Sequence, residues 1–397
     1  MTRVWPIRRS VSPEWDLLVA CCKGSVDPAE LSQAAALRPV KLNFDELIRL
    51  AVWHGIAPLL ASHLESLSDQ ISEPASTRLQ QLQRQALLHN LRLSTHLLQV
   101  LKTLEVRNIP SIPFKGPLLS ERLYGNIALR QCSDLDLLVR PEDLPSSLAA
   151  LRIMGFESEH ALGPELIAAL VATDFEITLI RDGVHLDLHW DVMPPLYGIA
   201  FGLNAAWQRA RHTKTAGTRI LEFAPEDLFL ALALHASKHF WAKLIWLSDL
   251  RQLLQASPTF DWGFLLERAH SMRVERMLLI TLALLQDVFD CRAALAPATL
   301  EEVRARNGGW RSTYEMARDN LCSTNPEVEG LRTYSFFLRM RDRRCDAVRQ
   351  VLRHATRPAS AELFMTDRSF FYLPLHLWRL ASRFCFFVWH TPSNKCK

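Results

Sequence analysis

Apolar residues recur every three to four positions through Phe44–Trp53 and again over 80–104, the spacing that gives a helix one buried face. Residues 14 to about 108 therefore read as helical, with Ser72-Glu73-Pro74-Ala75-Ser76 as a break between the two stretches. From Ile109 to about Phe223 the period changes. Over Ser133-Asp134-Leu135-Asp136-Leu137-Leu138-Val139 aspartate alternates with leucine, a two-residue repeat that predicts a strand. Pro141-Glu142-Asp143 follows, then a helix through Met154 that stops at Gly155. Two short runs, 176–180 and 184–190, are joined by Arg181-Asp182-Gly183, and Asp-Gly at that place predicts a hairpin. Helical spacing returns at Ala224 and runs through Leu228, Leu232, His235 and His239. The pattern divides the chain into a helical region over 1–108, an α/β core over 109–223 and a second helical domain over 224–397.

The chemistry-bearing residues fall in the middle third. On a strand, Asp134 and Asp136 point to one face while Leu135, Leu137 and Val139 enter a core on the other. Two carboxylates held that close repel, so they call for a bound cation or a shifted pKa. Mg2+ takes one or two carboxylates together with the phosphate oxygens of a substrate. Upstream, Ile112-Pro113-Phe114-Lys115-Gly116 ends an apolar run on a lysine and a glycine, and Pro117 is a good first helical residue. A tight turn opening into a helix offers backbone N–H groups to a phosphate. In the run 184–190, His185, Asp187 and His189 share one face, and Val184, Leu186, Leu188 and Trp190 the other. The plain alternative is a half-exposed edge strand.

Composition narrows the classes. The chain has 397 residues, of which 49% are hydrophobic, enough for sizeable cores. A net charge of +4 is spread along the sequence and does not favour a nucleic-acid partner. The eight cysteines show no Cys-x-x-Cys spacing, which points to reduced thiols and a cytoplasmic protein. The first nine residues lack the apolar core of a signal peptide. His54 reads as a packed or surface histidine. His235 and His239 lie four apart, a spacing that can bind zinc, but the glutamate of a His-Glu-x-x-His site is absent. They are expected to pack on the α/β core or to line a cleft, with Lys238 nearby. Trp241, Trp246 and Leu250 read as core, and Asp249 as a surface or buried polar partner. The aromatic stretch 370–389 predicts a docked amphipathic helix, or else a membrane-surface or partner-binding segment. Pro374, Arg379 and Arg383 argue against a spanning helix.

A glycine turn, a short helix and a strand bearing Asp-x-Asp together resemble the DNA polymerase β-type nucleotidyltransferase superfamily. Within it, the pattern Phe114-Lys115-Gly116, Tyr124, Leu129-Arg130 and Ser133 to Val139 resembles a large, mostly uncharacterised bacterial nucleotidyltransferase family, often found in natural-product and polysaccharide gene clusters. A later strand, Val184-His185-Leu186-Asp187-Leu188-His189-Trp190, matches the family's third aspartate, and the segment from His235 to Leu250 matches a following helical stretch. The resemblance covers roughly residues 40 to 270. It implies an α+β fold, a polymerase β-like core with a mixed sheet between helical flanks. It also implies transfer of a nucleoside monophosphate from an NTP to a hydroxyl on a small-molecule, peptide or protein acceptor, with Mg2+ or Mn2+ as cofactor. Asp134 and Asp136 would hold the metals, and Asp187 would complete the site near the acceptor. Lys115, Gly116, Ser120, Arg130 and Ser133 would contact the nucleotide. Where the superfamily has Gly-Ser at the turn, this chain has Gly116-Pro117, so Lys115 or Ser120 is expected to take over the serine's phosphate contact. Two other classes stay open, a nucleotide-binding protein of this fold without turnover and an RNA-modifying, toxin-like transferase.

Overall fold

The computed structural model describes residues 12–22, 42–65, 71–215, 217–291, 297–323 and 331–356. The expectations for the first nine residues and for the aromatic stretch 370–389 lie outside the described residues. Three short helices come first: α1 (Pro13–Cys21), α2 (Phe44–Trp53) and α3 (Ala57–Leu64). Ser12 caps α1 by accepting from the Trp15 N–H at 3.1 Å, and Asn43 caps α2 by accepting from the Glu46 N–H at 3.2 Å. The break at Ser72 to Ser76 is the start of a 34-residue helix, α4 (Glu73–Val106), with Pro74 in its first turn.

The α/β segment follows as β1 (Ser111–Pro113), α5 (Pro117–Tyr124), β2 (Leu135–Val139), α6 (Leu144–Ile153), α7 (Pro164–Thr173), β3 (Glu176–Arg181) and β4 (Val184–His189). Its four strands form one mixed sheet in the order β1-β2-β4-β3, with β2 parallel to β4 and the two outer pairings antiparallel. The hairpin between β3 and β4 turns on Asp182 and Gly183, both at positive φ (52° and 73°), as the Asp-Gly signal requires. Asp134 falls just outside β2, because Leu135 is the first residue there with a strand partner, Leu186. Trp190 lies beyond the end of β4 for the same reason. A second hairpin not foreseen from sequence, β5 (Arg211–Thr215) with β6 (Thr218–Glu222), follows α8 (Leu203–Arg209).

The remaining helices are α9 (Pro225–Lys238), α10 (Leu244–Gln255), α11 (Trp262–Met272), α12 (Glu275–Phe289), α13 (Pro297–Arg306), α14 (Trp310–Cys322), α15 (Leu331–Arg339) and α16 (Arg344–Thr356). The architecture is α+β, a mixed sheet flanked by helices on both sides in sequence. The alternation along β2 decides where each core forms. Leu135, Leu137 and Val139 join Leu93, Leu97 and Leu151 in a core under α4 and α6. Leu138 points the other way and joins the larger core built from α9, α10 and α12. The first three helices belong to this larger core too. His54 is wholly buried between them, and its Nδ1 accepts from the Leu244 N–H that opens α10 at 3.3 Å. Burial pulls its pKa down to about 3, so the ring is neutral and free to accept. Among the described residues no helix is long and apolar enough to cross a membrane.

Candidate active site

The site is assembled where β2 leaves the turn after β1. Gly116 stands at φ +75°, a left-handed conformation that L side chains rarely adopt, and a Cβ there would lie 3.4 Å from the Asp134 carbonyl oxygen. Glycine at this place therefore lets the turn lie against the entry of β2, and Pro117 opens α5 directly behind it.

Parallel pairing of β2 with β4 sets Asp136 opposite Asp187 and Leu138 opposite His189. One ligand atom from each of Asp136, Asp187 and His189 lies within 4.8 Å of the others. His189 Nε2 donates to Asp136 Oδ1 at 3.0 Å. Its Nδ1 lies 3.1 Å from Glu176 Oε2, close but not aligned as a hydrogen bond. Lys115 Nζ reaches the same Asp136 oxygen at 2.5 Å. Burial works to raise the Asp136 pKa, but the Lys115 charge and the His189 hydrogen bond outweigh it and hold the carboxyl well below its usual range. Asp134, half-buried, moves the other way, raised by burial and then by the Asp136 charge. The two aspartates thus escape mutual repulsion unequally.

Asp136 Oδ2 is buried and has no hydrogen-bond partner among the described residues. The neighbouring Asp187 is part-exposed, with its Oδ1 accepting from Thr178 Oγ1 at 2.6 Å. A buried anionic oxygen left unmet beside a second carboxylate and an imidazole fits a divalent cation. The donor set that converges contains His189, which the sequence reading treated only as a neighbour on the strand face. Asp134 lies beside it, on the wall of the cleft.

That cleft has a volume of about 260 Å³. Lys115, Ser133, Asp134 and Asp136 line one wall, and His235, His239, Lys243 and Trp246 of the helical part face them. The Trp246 ring lies 5.4 Å from His235 and 5.3 Å from His239, so the histidine pair does line the cleft. Burial and then the Lys115 charge hold the His235 pKa well below the usual value, and its Nδ1 lies 3.4 Å from Lys115 Nζ. Lys238 lies over the Phe175 ring at 4.5 Å.

Two further candidates have structural partners. Arg130 is buried, and its Nε donates to Asp249 Oδ2 at 3.0 Å while the Tyr124 hydroxyl donates to Asp249 Oδ1 at 2.9 Å. Burial opposes the Arg130 charge, but Asp249 overcomes it and raises the guanidinium pKa. Arg130 therefore reaches the cleft wall while tying the turn after α5 to α10. The Ser120 side chain is fully buried and donates to the Asn126 carbonyl at 2.9 Å; it does not line the cleft. Glu176, Lys243 and Trp246 join the site without having been singled out for it. No local spacing marked them: Glu176 opens β3, Lys243 immediately precedes α10, and Trp246 of α10, read as core, is only partly buried and lines the cleft.

A family model described as an uncharacterised nucleotidyltransferase matches residues 41–290, more than half of the chain. No curated protein and no solved structure matches it.

Proposed function

The chain belongs to the uncharacterised nucleotidyltransferase family, and from that premise we propose that it is a metal-dependent enzyme moving a nucleoside monophosphate from an NTP to an acceptor hydroxyl. The observation that carries the proposal is the convergence of Asp136, Asp187 and His189, with an unmet buried oxygen, beside a cleft lined by Lys115. Asp136 and Asp187, with Asp134 beside them, would hold Mg2+ or Mn2+, and His189 would add a nitrogen donor with its proton on Nδ1, toward Glu176, instead of on Nε2. A divalent ion bound there polarises phosphate oxygens and makes a coordinated hydroxyl more acidic. Lys115, Ser133 and the backbone turn at Gly116 would hold phosphates, and Lys243 extends the positive charge across the cleft. Asp187, the least buried of the three donors, would accept the acceptor's proton. The mixed sheet with carboxylates on two parallel neighbours supports a polymerase β-like core. Reduced thiols support a cytoplasmic setting, and a small-molecule, peptide or protein acceptor in natural-product or polysaccharide synthesis is the substrate class proposed.

The test is incubation of the full chain with labelled ATP, CTP, GTP and UTP, with and without Mg2+, against small-molecule, protein and RNA pools. Metal-dependent transfer that disappears in Asp136→Asn is expected. Metal-dependent NTP binding without any transfer would make it a binding protein of this fold, and absence of both would overturn the reading.

A further inference from the structure

A second cavity, of about 360 Å³, shares no lining residue with the cleft and lies where the ends of α12, α14, α15 and α16 meet. Five arginines line it, Arg276, Arg339, Arg341, Arg343 and Arg344, against one carboxylate, Asp342. That carboxylate is already engaged. Its two oxygens accept from the backbone N–H groups of Glu275 and Arg276, each at 2.9 Å, and so cap α12.

Arg341 is only 3% exposed, and its Nε and Nη1 have no hydrogen-bond partner among the described residues. Asp346, the other carboxylate acting on its charge, is shared with Arg273 at 2.9 Å and Arg349 at 3.6 Å. A buried guanidinium with unmet donors is unfavourable unless something supplies acceptors. Two helix N-termini add to the same field. Gly309 precedes α14 with no side-chain cap, and Ser312 and Thr313 of that first turn line the cavity. Arg344, also lining it, is the first residue of α16. The N-terminal end of a helix favours negative charge.

We propose that this cavity is an anion site that takes a phosphate group of a small molecule, separate from the active-site cleft. Arginine's planar fork matches phosphate oxygens in pairs, and the volume lies in the range of small-ligand pockets. Arg276 is spent on the carbonyls of Arg339 and Gly308, and Arg339 Nη1 is turned to Met316 Sδ at 3.6 Å, so Arg341, Arg343 and Arg344 are the groups left to bind.

The experiment is calorimetric titration of the full chain with inorganic phosphate and with pyrophosphate, in buffer freed of divalent metal. Arg341→Gln and the double variant Arg343→Gln/Arg344→Gln are each expected to weaken binding at least about tenfold, the effect of losing one strong charge-assisted contact. Lys115→Ala, which alters only the cleft, is expected to leave the component of binding that the arginine variants lose within about twofold of the parent. Arg343 and Arg344 are exposed, so the double variant decides the matter if Arg341→Gln fails to fold. No binding of either anion overturns the proposal. So does binding that Lys115→Ala abolishes and the double variant leaves unchanged, which would place the anion in the cleft.

Discussion

Lys115 Nζ lies 2.5 Å from Asp136 Oδ1, the same oxygen that His189 Nε2 approaches at 3.0 Å. Two donors converge on one side of the carboxylate and leave its other oxygen buried and unmet. The Lys115 charge also acts on Asp134, two residues earlier, but burial and the Asp136 charge outweigh it there, so its pKa rises where that of Asp136 falls.

The first prediction follows from that asymmetry. Asp134→Asn and Asp136→Asn should both lose transfer by at least about a hundredfold, yet differ in stability. Asp136→Asn leaves the Lys115 ammonium, 11% exposed, without its partner, a loss of roughly 3 kcal/mol. Asp134→Asn removes a carboxylate that burial and its neighbour disfavour, so the fold should hold or gain slightly. Urea unfolding of both variants measures the difference, and equal stabilities would show that Lys115 does not neutralise Asp136.

The second concerns β4, where three polar side chains share a face but not an environment. His185 is exposed and should tolerate Gln with little effect on rate or stability. Asp187→Asn should lower the single-turnover rate more than it weakens nucleotide affinity. His189→Gln should reduce both rate and stability, because the ring is buried between Asp136 and Glu176. Nucleotide titration and single-turnover assays on the three variants separate these outcomes. A His189→Gln enzyme as active as His185→Gln would remove His189 from the site.

A third prediction separates a phosphate contact from a structural tie. If Arg130 mainly holds Asp249, then Arg130→Gln and Asp249→Asn should each destabilise the fold by about 3–5 kcal/mol. The folded fraction of each variant should then show the same rise in KM for the triphosphate. A rise confined to Arg130→Gln would mean that the guanidinium also touches the nucleotide.

His54 provides a pH-dependent prediction. Its folded pKa of about 3 lies below the ordinary 6.5, so the unfolded chain takes up the proton first. Stability from this group is whole above pH 6.5 and falls as pH drops toward 3, at about 1.4 kcal/mol per unit. His54→Gln should be less stable at neutral pH but show a shallower acid slope. Denaturant midpoints between pH 7 and pH 4 test it, and an unchanged slope would mean that His54 is charged in the folded protein.

What the sequence made legible was local. The alternation of Asp136 with leucines and the Asp182-Gly183 turn lie within a few residues, so the strand and the hairpin could be read directly, whereas the expected pair of Asp134 and Asp136 on one strand face gives way to Asp136 beside Asp187 on the neighbouring strand. His189 could not be placed, because its meeting with Asp136 depends on which strand pairs with β2. Arg130 finds Asp249 across 119 residues, and His54 finds the backbone of Leu244 across 190. No spacing rule reaches that far. The hairpin of β5 and β6 escaped for another reason: most of its first strand is polar and solvent-facing, so the apolar alternation is missing.

The parallel pairing of β2 with β4 has a kinetic consequence. A parallel neighbour cannot be reached by a tight turn, so the chain must traverse α6, α7 and β3 before Asp187 can stand beside Asp136. Loop closure of that length slows folding, and the candidate metal-binding group forms only after the crossover is complete. A nascent chain that has emerged through β2 carries Asp134 and Asp136 but lacks the other half of the cation site. Ribosome-bound chains ending before β4, and so before Asp187 and His189, should therefore gain no protection from proteolysis on adding Mg2+, whereas the complete chain should.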